Sequence, residues 1–344
     1  MIQITATQVF NQLKADLIGK DSYRGVSLSY SWLANQFGHF SLGYFTALIC
    51  YSIKVKIFTI CIEPTLLQSV ISSAIIWTIF ESFNFLGPLL FKMNSTKVKL
   101  NVHDSYTFKP DWLNVGFDTF TDLLYFYLGA LFLALFKSQF AYLDYLFFVL
   151  LILIFIPFVY WYKTKIILQN CKFPQQIRLS QWKFDLNEEQ KSMVLNFISK
   201  ETKETHLLIT GKPGVGKTTL SIGISTEMAI KREKISYFTS MKLVPSFFSN
   251  NKNENTNGIW NWVDSDCLII DDINPSEPVN EVWISPEVFL NYIYNPSENR
   301  DNRSLLKSKK VIWLIDGKEK IEDWMKMLLI IGLERNKIAH LNIY

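Results

Sequence analysis

A glycine-rich segment followed by a lysine and a threonine constrains the fold of this chain more than any other feature. Residues 211–218 read Gly-Lys-Pro-Gly-Val-Gly-Lys-Thr and fit the pattern G-x-x-x-x-G-K-[ST]. Glycines at these positions let successive backbone N–H groups curl inward around an anion, a geometry that a Cβ would obstruct. The pattern predicts a phosphate-binding loop (P-loop), which requires a buried strand before it and a helix after it.

The residues on either side of the loop fit both elements. Residues 206–210 have the composition of a buried strand, and residues 218–231 have the pattern of a helix. Lys217 is then expected to contact the β- and γ-phosphates of ATP, and the Thr218 hydroxyl is placed to bind Mg²⁺. The predicted nucleotide-binding residues are Gly211, Lys212, Pro213, Gly214, Val215, Gly216, Lys217, Thr218 and Thr219.

A second, acidic motif follows about 50 residues after the loop. Residues 267–272 form a short apolar run, Cys-Leu-Ile-Ile, that ends in Asp271 and Asp272. A buried strand ending in two carboxylates at this distance from a P-loop is typical of a Walker B element. Asp271 is predicted to hold Mg²⁺ through its hydration shell, and Asp272 is predicted to orient and deprotonate the attacking water.

From residue 205 onward, strands and helices are expected to alternate, which is typical of a parallel sheet with helices on both faces. The predicted strands are 206–210, 235–239, 267–271, 310–316 and 339–344. If the fourth strand lies between the P-loop strand and the Walker B strand, Asp316 at its end faces the γ-phosphate and can position water. A simple Asp-Gly turn at Asp316 and Gly317 is the alternative, and the sequence leaves both open.

The first half of the chain has the composition of a membrane domain. Hydrophobic residues make up 49% of the sequence and are concentrated in long runs before residue 163. Each run is near the roughly 20 residues that cross a bilayer as a helix. The prediction is a cytoplasmic segment 1–31, a transmembrane domain 32–162 with about four helices, and a linker with a leading helix at 163–204. The predicted spans are 32–53, 57–80, 115–136 and 143–162.

The distribution of lysine and arginine predicts the orientation of these spans. With the N-terminus inside, the inner segments carry eleven basic residues and the outer segments carry three. Because basic residues accumulate on the cytoplasmic side, the ATP-binding half is expected in the cytoplasm of a cell with an inner membrane. The outer three are Lys54, Lys56 and Lys137.

A few ionisable residues fall in or near the predicted spans. A carboxylate at membrane depth is costly, which makes each one a functional candidate. A proton or ion pathway is one interpretation, and helix packing or an interfacial position is the other. These residues are His39, Glu63, Asp118, Asp122 and Asp144.

Residues from about 205 to 344 resemble the AAA+ ATPases of the DnaC helicase-loader and IstB transposition-helper type. The resemblance rests on residues 207–220, on Ile-Ile-Asp-Asp-Ile at 269–273 and on Val-Ile-Trp-Leu-Ile-Asp at 311–316. It implies an AAA+-like fold, ATP hydrolysis and an oligomer in which neighbouring subunits complete each site. It does not extend to the membrane half.

The resemblance also assigns a role to Arg335. In Leu333-Glu334-Arg335 this arginine stands where the family carries an arginine finger, which acts in trans on the nucleotide of a neighbouring subunit. A surface arginine at a helix end is the alternative. Two departures from the family pattern stand out. Asp316 replaces the usual Asn or Thr, and no C-terminal helical lid is expected after Tyr344.

These features together predict a multi-pass membrane protein with a cytoplasmic ATPase domain at 205–344. We expect ATP and Mg²⁺ as cofactors, a homo-oligomer, and an unidentified protein partner that the nucleotide cycle remodels or regulates. Nucleic acid stays open as a partner, with only one small basic cluster, Lys231, Arg232 and Lys234, to support it. The alternative is a signalling or defence module in which ATP controls the membrane domain.

Overall fold

The computed structural model describes two compact units, one on each side of the boundary between Lys165 and Ile166. The membrane-type sequence belongs to the first unit and the P-loop to the second. The described residues are 30–58, 62–92, 112–135, 141–179, 182, 184, 186–248, 260–273, 284–293, 302–316 and 320–343.

Four long helices make up the described part of the first unit. They contain 24 to 31 residues, which at about 1.5 Å per residue is enough to cross a bilayer. Helix α3 packs against both α1 and α2, and its apolar residues form the core of the unit. The helices are α1 (Tyr30–Phe58), α2 (Ile62–Lys92), α3 (Trp112–Leu135) and α4 (Ala141–Asn170).

Among the described residues, three helices are both long and apolar enough to cross a membrane, over Thr65–Leu86, Val115–Leu135 and Ala141–Asn170. The predicted span 32–53 does form a helix, α1, which is not among these three. The predicted span 57–80 overlaps the second helix, α2. This helix begins at Ile62 and continues through Glu81 to Lys92.

Helices α1 and α3 approach each other closely at two glycines. A Cβ on Gly43 would overlap the carbonyl oxygen of Phe126, and a Cβ on Gly129 would overlap that of Phe40. The two contacts are reciprocal, because each glycine faces backbone of the other helix. Small residues at a crossing let helix backbones pack directly, which is a common device in membrane helix pairs. Ser73 of α2 donates a hydrogen bond to Gly43 O at 3.0 Å, so all three helices meet here.

The second unit is built on a five-stranded parallel sheet in the order β2-β3-β4-β1-β5. The central strands are apolar and fully buried, as expected for strands covered on both faces. Every strand lies within two residues of its predicted position. The strands are β1 (His206–Gly211), β2 (Ile235–Thr239), β3 (Cys267–Asp271), β4 (Lys310–Asp316) and β5 (Ile338–Asn342).

Short helices connect and cover the strands of this sheet. The first begins at a capping box, in which the side chains of Asn187 and Gln190 each accept a hydrogen bond from the other residue's backbone N–H. The described helices are α5 (Glu188–Ile198), α6 (Lys217–Ile230), α7 (Ser240–Phe248), α8 (Pro286–Ile293), α9 (Asn302–Ser308) and α10 (Ile321–Ile331). The order β3-β4-β1 places β4 between the P-loop strand and the acidic strand, which is the arrangement on which the expectation for Asp316 depended.

Candidate nucleotide-binding site

The P-loop lies between the end of β1 and the start of α6. Its glycines Gly214 and Gly216 have φ angles of 82° and 88°, in the left-handed region that residues with a Cβ rarely adopt. Gly216 is also the N-cap of α6, so the loop leads directly into the first turn of that helix. A helix N-terminus with inward-turning N–H groups is a site for phosphate. The backbone therefore has the conformation that the sequence motif requires.

Lys217 lies over the loop. Its Nζ donates hydrogen bonds to Gly211 O at 2.6 Å and to Lys212 O at 3.1 Å. The ammonium group is thus held at the concave backbone of the loop, where a phosphate would compete with the two carbonyls for it. Lys212, Pro213 and Gly214 form the exposed tip of the loop.

The remaining predicted loop residues are half-buried at the start of α6. These are Val215, Gly216, Lys217, Thr218 and Thr219. Thr219 Oγ1 accepts a hydrogen bond from Gln175 Nε2 at 3.2 Å, which turns this hydroxyl toward the segment preceding α5. Thr218, one residue earlier, accepts through its backbone oxygen from Ser221 Oγ at 2.8 Å.

The two acidic residues at the end of β3 have different surroundings. Asp271 is 5% exposed and accepts two hydrogen bonds, from Tyr237 OH at 2.6 Å and from the backbone N–H of Asp272 at 2.8 Å. Asp272 is exposed, with a left-handed φ of 48°, and its carbonyl accepts a hydrogen bond from Ser240 Oγ at 2.6 Å. The chain therefore leaves the extended conformation of β3 at Asp272, directly after Asp271.

Desolvation raises the pKa of Asp272, and the neighbouring Asp271 raises it further. A carboxylate with a raised pKa holds a proton more strongly and is a better general base. Burial also raises the pKa of Tyr237, with the hydrogen bond to Asp271 as the next cause. Tyr237 therefore stays a neutral donor that fixes the orientation of Asp271.

Tyr237 and Ser240 were not singled out by the sequence. Tyr237 lies in the middle of β2, the strand that pairs with β3, and Ser240 directly follows the end of β2. Thr239 is in register with Asp271. The available signal for Tyr237 was its position, two residues before the end of a strand that lies next to the Walker B strand. The sequence does not give the strand order, so the partner of Asp271 could not be inferred from it.

The ends of β1 and β3 lie at the same edge of the sheet. Because the strands are parallel, their carboxyl ends share one edge, and only β4 separates them. Neighbouring strands are about 4.8 Å apart, so the P-loop and Asp271 follow strands roughly 10 Å apart. Asp316 ends β4 and pairs in register with Gly211, so its backbone lies between them. The Asp316 side chain lies outside what the structure describes.

Arg335 lies at the other edge of the sheet. It begins a 3₁₀ turn, Arg335–Lys337, that leads into β5, and Ile338 pairs with His206, the first residue of β1. The P-loop begins at the other end of this six-residue strand, at Gly211. The Arg335 guanidinium donates to the sulfur of Met325. The structure therefore does not bring Arg335 together with the P-loop of its own chain.

Two aromatic residues that precede α5 contact the P-loop. Trp182 is 1% exposed and its Nε1 donates to Gly216 O at 3.2 Å. A Cβ added to Gly216 would come within 2.6 Å of the Phe184 ring, so this ring lies directly against the loop. Sequence analysis assigned 163–204 only to a linker and a leading helix. Trp182 and Phe184 do not form part of a periodic hydrophobic pattern, so the sequence did not indicate that they belong to the site.

The residues at this edge fit a magnesium–nucleotide complex. Mg²⁺ prefers hard oxygen ligands, and the Thr218 hydroxyl and the Asp271 carboxylate are both of this type. Nothing lies within 4 Å of a Cβ built on Gly214, so the backbone at the tip of the loop is open to phosphate oxygens. Thr218 and Asp271 are therefore the residues that would hold Mg²⁺ beside the phosphates.

No family model and no curated protein matches the chain. Among solved structures, the crystal structure of DnaI is similar to it with a TM-score of 0.31 and 16% sequence identity, over 48% of this chain and 87% of DnaI. The second unit is a five-stranded parallel sheet with a glycine-rich loop and an acidic strand end at one edge.

Proposed function

We propose that this chain is a membrane-anchored ATPase that binds ATP with Mg²⁺ and hydrolyses it. The observation that supports this most directly is the shared sheet edge. This edge carries a P-loop whose glycines have a left-handed backbone conformation. On the other side of one intervening strand, β4, it carries two carboxylates in different environments. In the first unit, three helices suited to crossing a membrane provide the anchor.

Each residue has a role in this proposal. The loop N–H groups and Lys217 hold the β- and γ-phosphates, while Thr218 and Asp271 provide oxygen ligands for Mg²⁺, which when bound neutralises phosphate charge. Tyr237 holds Asp271 in one orientation through its hydroxyl. Asp272, with its raised pKa, orients the attacking water and takes its proton.

The wider setting is also part of the proposal. The bias of basic residues supports an inner-membrane protein whose ATPase unit faces the cytoplasm. Arg335 lies away from its own P-loop, which favours a homo-oligomer in which it reaches a neighbour's nucleotide. The partner that the cycle remodels is a protein or a nucleic-acid complex at the membrane.

One observation favours the alternative, in which ATP controls the membrane unit. His39, Glu81 and Asp122 form a buried ionisable cluster between α1, α2 and α3. A plain anchor does not need buried acids, so their presence indicates that the helical unit has an activity of its own.

Two substitutions separate binding from hydrolysis. Lys217→Ala should abolish ATP binding, because the charge on the β- and γ-phosphates is then uncompensated. Asp272→Asn should bind ATP normally and lose turnover, because Asn has a similar shape but cannot accept the proton. Binding is measured with a fluorescent ATP analogue, and turnover by phosphate release. Wild-type turnover in Asp272→Asn would rule out the role of this residue as the base.

A further inference from the structure

The helical unit contains a cluster of metal-ligand side chains drawn from three helices. His39 comes from α1, Glu81 from α2 and Asp122 from α3, and one ligand atom from each lies within 4.8 Å of the others. Glu81 is 2% exposed and Asp122 is 7% exposed. The sequence separates these residues by about 40 positions each, so only the helix packing brings them together.

A fourth polar side chain lies at the same place. Gln36 is fully buried, one turn before His39 on α1, and its Nε2 donates to Asp122 Oδ1 at 2.6 Å. Its other amide atom, Oε1, has no hydrogen-bond partner among the residues that the structure describes. Because both atoms belong to one amide group, the cluster has a buried oxygen acceptor available in addition to its two carboxylates. A buried acceptor without a donor is costly, and a bound cation would satisfy it.

The charge of the cluster also favours a cation. Its members are two acids, one imidazole and one amide. Moving carboxylates out of water is expensive unless their charge is compensated. A divalent cation balances both carboxylates at once, whereas the neutral imidazole contributes a nitrogen ligand without adding charge.

Aromatic packing fixes the imidazole. The His39 ring stacks on Phe126 with centroids 4.6 Å apart and planes within 9°, and Trp77 stacks on the same phenylalanine at 4.1 Å. Phe126 lies one turn after Asp122 on α3, so a single helix face holds one ligand and orients another. His39 Nδ1 is 3.2 Å from Asp122 Oδ1. The nitrogen is thereby directed at the carboxylates.

We propose that His39, Glu81 and Asp122, with Gln36 Oε1 as a fourth oxygen, form a binding site for a divalent transition-metal ion in the helical unit. A mixed set of one nitrogen and several oxygens suits Zn²⁺ and related ions. Ligands about 2.0–2.2 Å from one ion lie roughly 3.4 Å apart in a tetrahedron. The side chains therefore have to close by at most about 1.4 Å to coordinate it, which small side-chain rotations provide.

Metal content of the full chain tests this site. The detergent-solubilised protein is stripped with a chelator, dialysed against low micromolar Zn²⁺ without nucleotide, and assayed for zinc by mass spectrometry. We expect one zinc per wild-type chain. Glu81→Gln and Asp122→Asn should each reduce binding at least tenfold, since each keeps the side-chain shape and removes a charged ligand. Asp144→Asn on α4, an acid outside the cluster, is the matched control and should bind as wild type does.

A second measurement on the wild type does not depend on variants that fold poorly. X-ray absorption at the zinc edge should show only nitrogen and oxygen ligands, including one imidazole. Sulfur ligands would overturn the proposal, because they would place the ion at cysteines. A wild-type chain that binds no zinc, or Glu81→Gln and Asp122→Asn chains that bind it as tightly as wild type does, would also overturn it and leave helix packing as the role of the cluster.

Discussion

Adjacent residues of the same type have different environments at the end of β3. Asp271 is buried and accepts hydrogen bonds on both carboxylate oxygens, whereas Asp272 leaves the strand through a left-handed backbone and has a raised pKa. Neighbouring carboxylates in different environments are suited to different roles. Here the hydrogen-bonded Asp271 suits a metal ligand, and Asp272, whose pKa is raised, suits a proton acceptor.

In the proposed ATPase, the role of Arg335 decides whether each site works alone. Since it lies at the opposite end of β1 from its own P-loop, we expect it to act on a neighbour. Arg335→Ala should lower turnover on the order of 10³-fold and leave ATP affinity nearly unchanged. The test mixes Arg335→Ala with Asp272→Asn, two inactive variants. Mixed oligomers contain sites with an intact Asp272 and a neighbour's intact Arg335, so activity should return. A mixture that assembles and stays inactive would show that Arg335 does not act in trans.

His206 makes the second unit sensitive to acid. It is fully buried, its Nδ1 accepts a hydrogen bond from Trp313 Nε1 at 3.0 Å, and its Nε2 faces Leu306 O at 3.2 Å. These partners require the neutral ring with a proton on Nε2. Burial lowers the pKa of His206 to about 3, from 6.5.

Because the folded pKa of His206 is lowered, its stabilisation is present above pH 6.5 and is lost as the pH falls toward 3. Below pH 6.5 the unfolded chain takes up a proton that the folded chain does not, so stability should fall by up to about 1.4 kcal/mol per pH unit. Urea unfolding at pH 7, 6 and 5 measures the slope. His206→Gln should be less stable at pH 7 but have a smaller slope. An identical slope would assign the acid sensitivity to other groups.

Residue-level prediction from sequence is most direct where a motif is local. Gly214 and Gly216 have left-handed φ angles, and Lys217 donates a hydrogen bond to the backbone of Gly211. Their binding roles, with those of Asp271, Asp272, Asp316 and Arg335, stay predictions. Tyr237 and Phe184 could not be found in this way, since their contacts join segments more than 30 residues apart.

At the scale of elements, α1 shows why hydropathy alone is an incomplete guide to this unit. Its polar residues Gln36 and His39 face the cluster, while Phe37, Phe45 and Ile49 are among its exposed side chains. A helix that turns its polar residues inward and its apolar residues outward suits a lipid environment despite a modest average hydropathy. The strands were easier to predict, because buried parallel strands are short continuous apolar runs.

The crossing of α1 and α3 should tolerate no side chain at Gly129. Gly129→Ala places a Cβ against the backbone of Phe40, so the helices have to separate and the unit should lose about 1–3 kcal/mol. Gly38→Ala on α1 is the control, since nothing lies within 4 Å of its added Cβ. Thermal unfolding in detergent compares the two. Equal melting temperatures for both variants would mean that the close crossing is not formed.

At the scale of the whole molecule, the number of crossings determines where the two ends lie. Four crossings place both ends on one side, whereas the three helices that meet the hydropathy requirement would place them on opposite sides. The inward polar face of α1 leads us to expect four crossings. The sequence shows where the apolar runs lie. It does not show which side of α1 faces the other helices, because that depends on how the helices pack together.

Reporter fusions test this topology. A reporter before Tyr30 and another at Tyr344 should both give a cytoplasmic signal, and the protein should resist carbonate extraction of membranes. A periplasmic signal before Tyr30 with a cytoplasmic one at Tyr344 would indicate that α1 does not cross. A periplasmic signal at Tyr344 would separate the second unit from cytoplasmic ATP and contradict the proposed function.

The position of β1 in the sheet has a consequence for biosynthesis. Both of its neighbours, β4 and β5, lie more than 100 residues downstream, so β1 has no strand to pair with when it leaves the ribosome. At roughly 5–20 residues per second, the first partner follows about 5–20 s later. The helices of the first unit are synthesised before β1. For the membrane-anchored ATPase proposed above, the nascent chain would therefore reach the membrane before its nucleotide site forms, and a chain terminated before β4 would insert but not hydrolyse ATP.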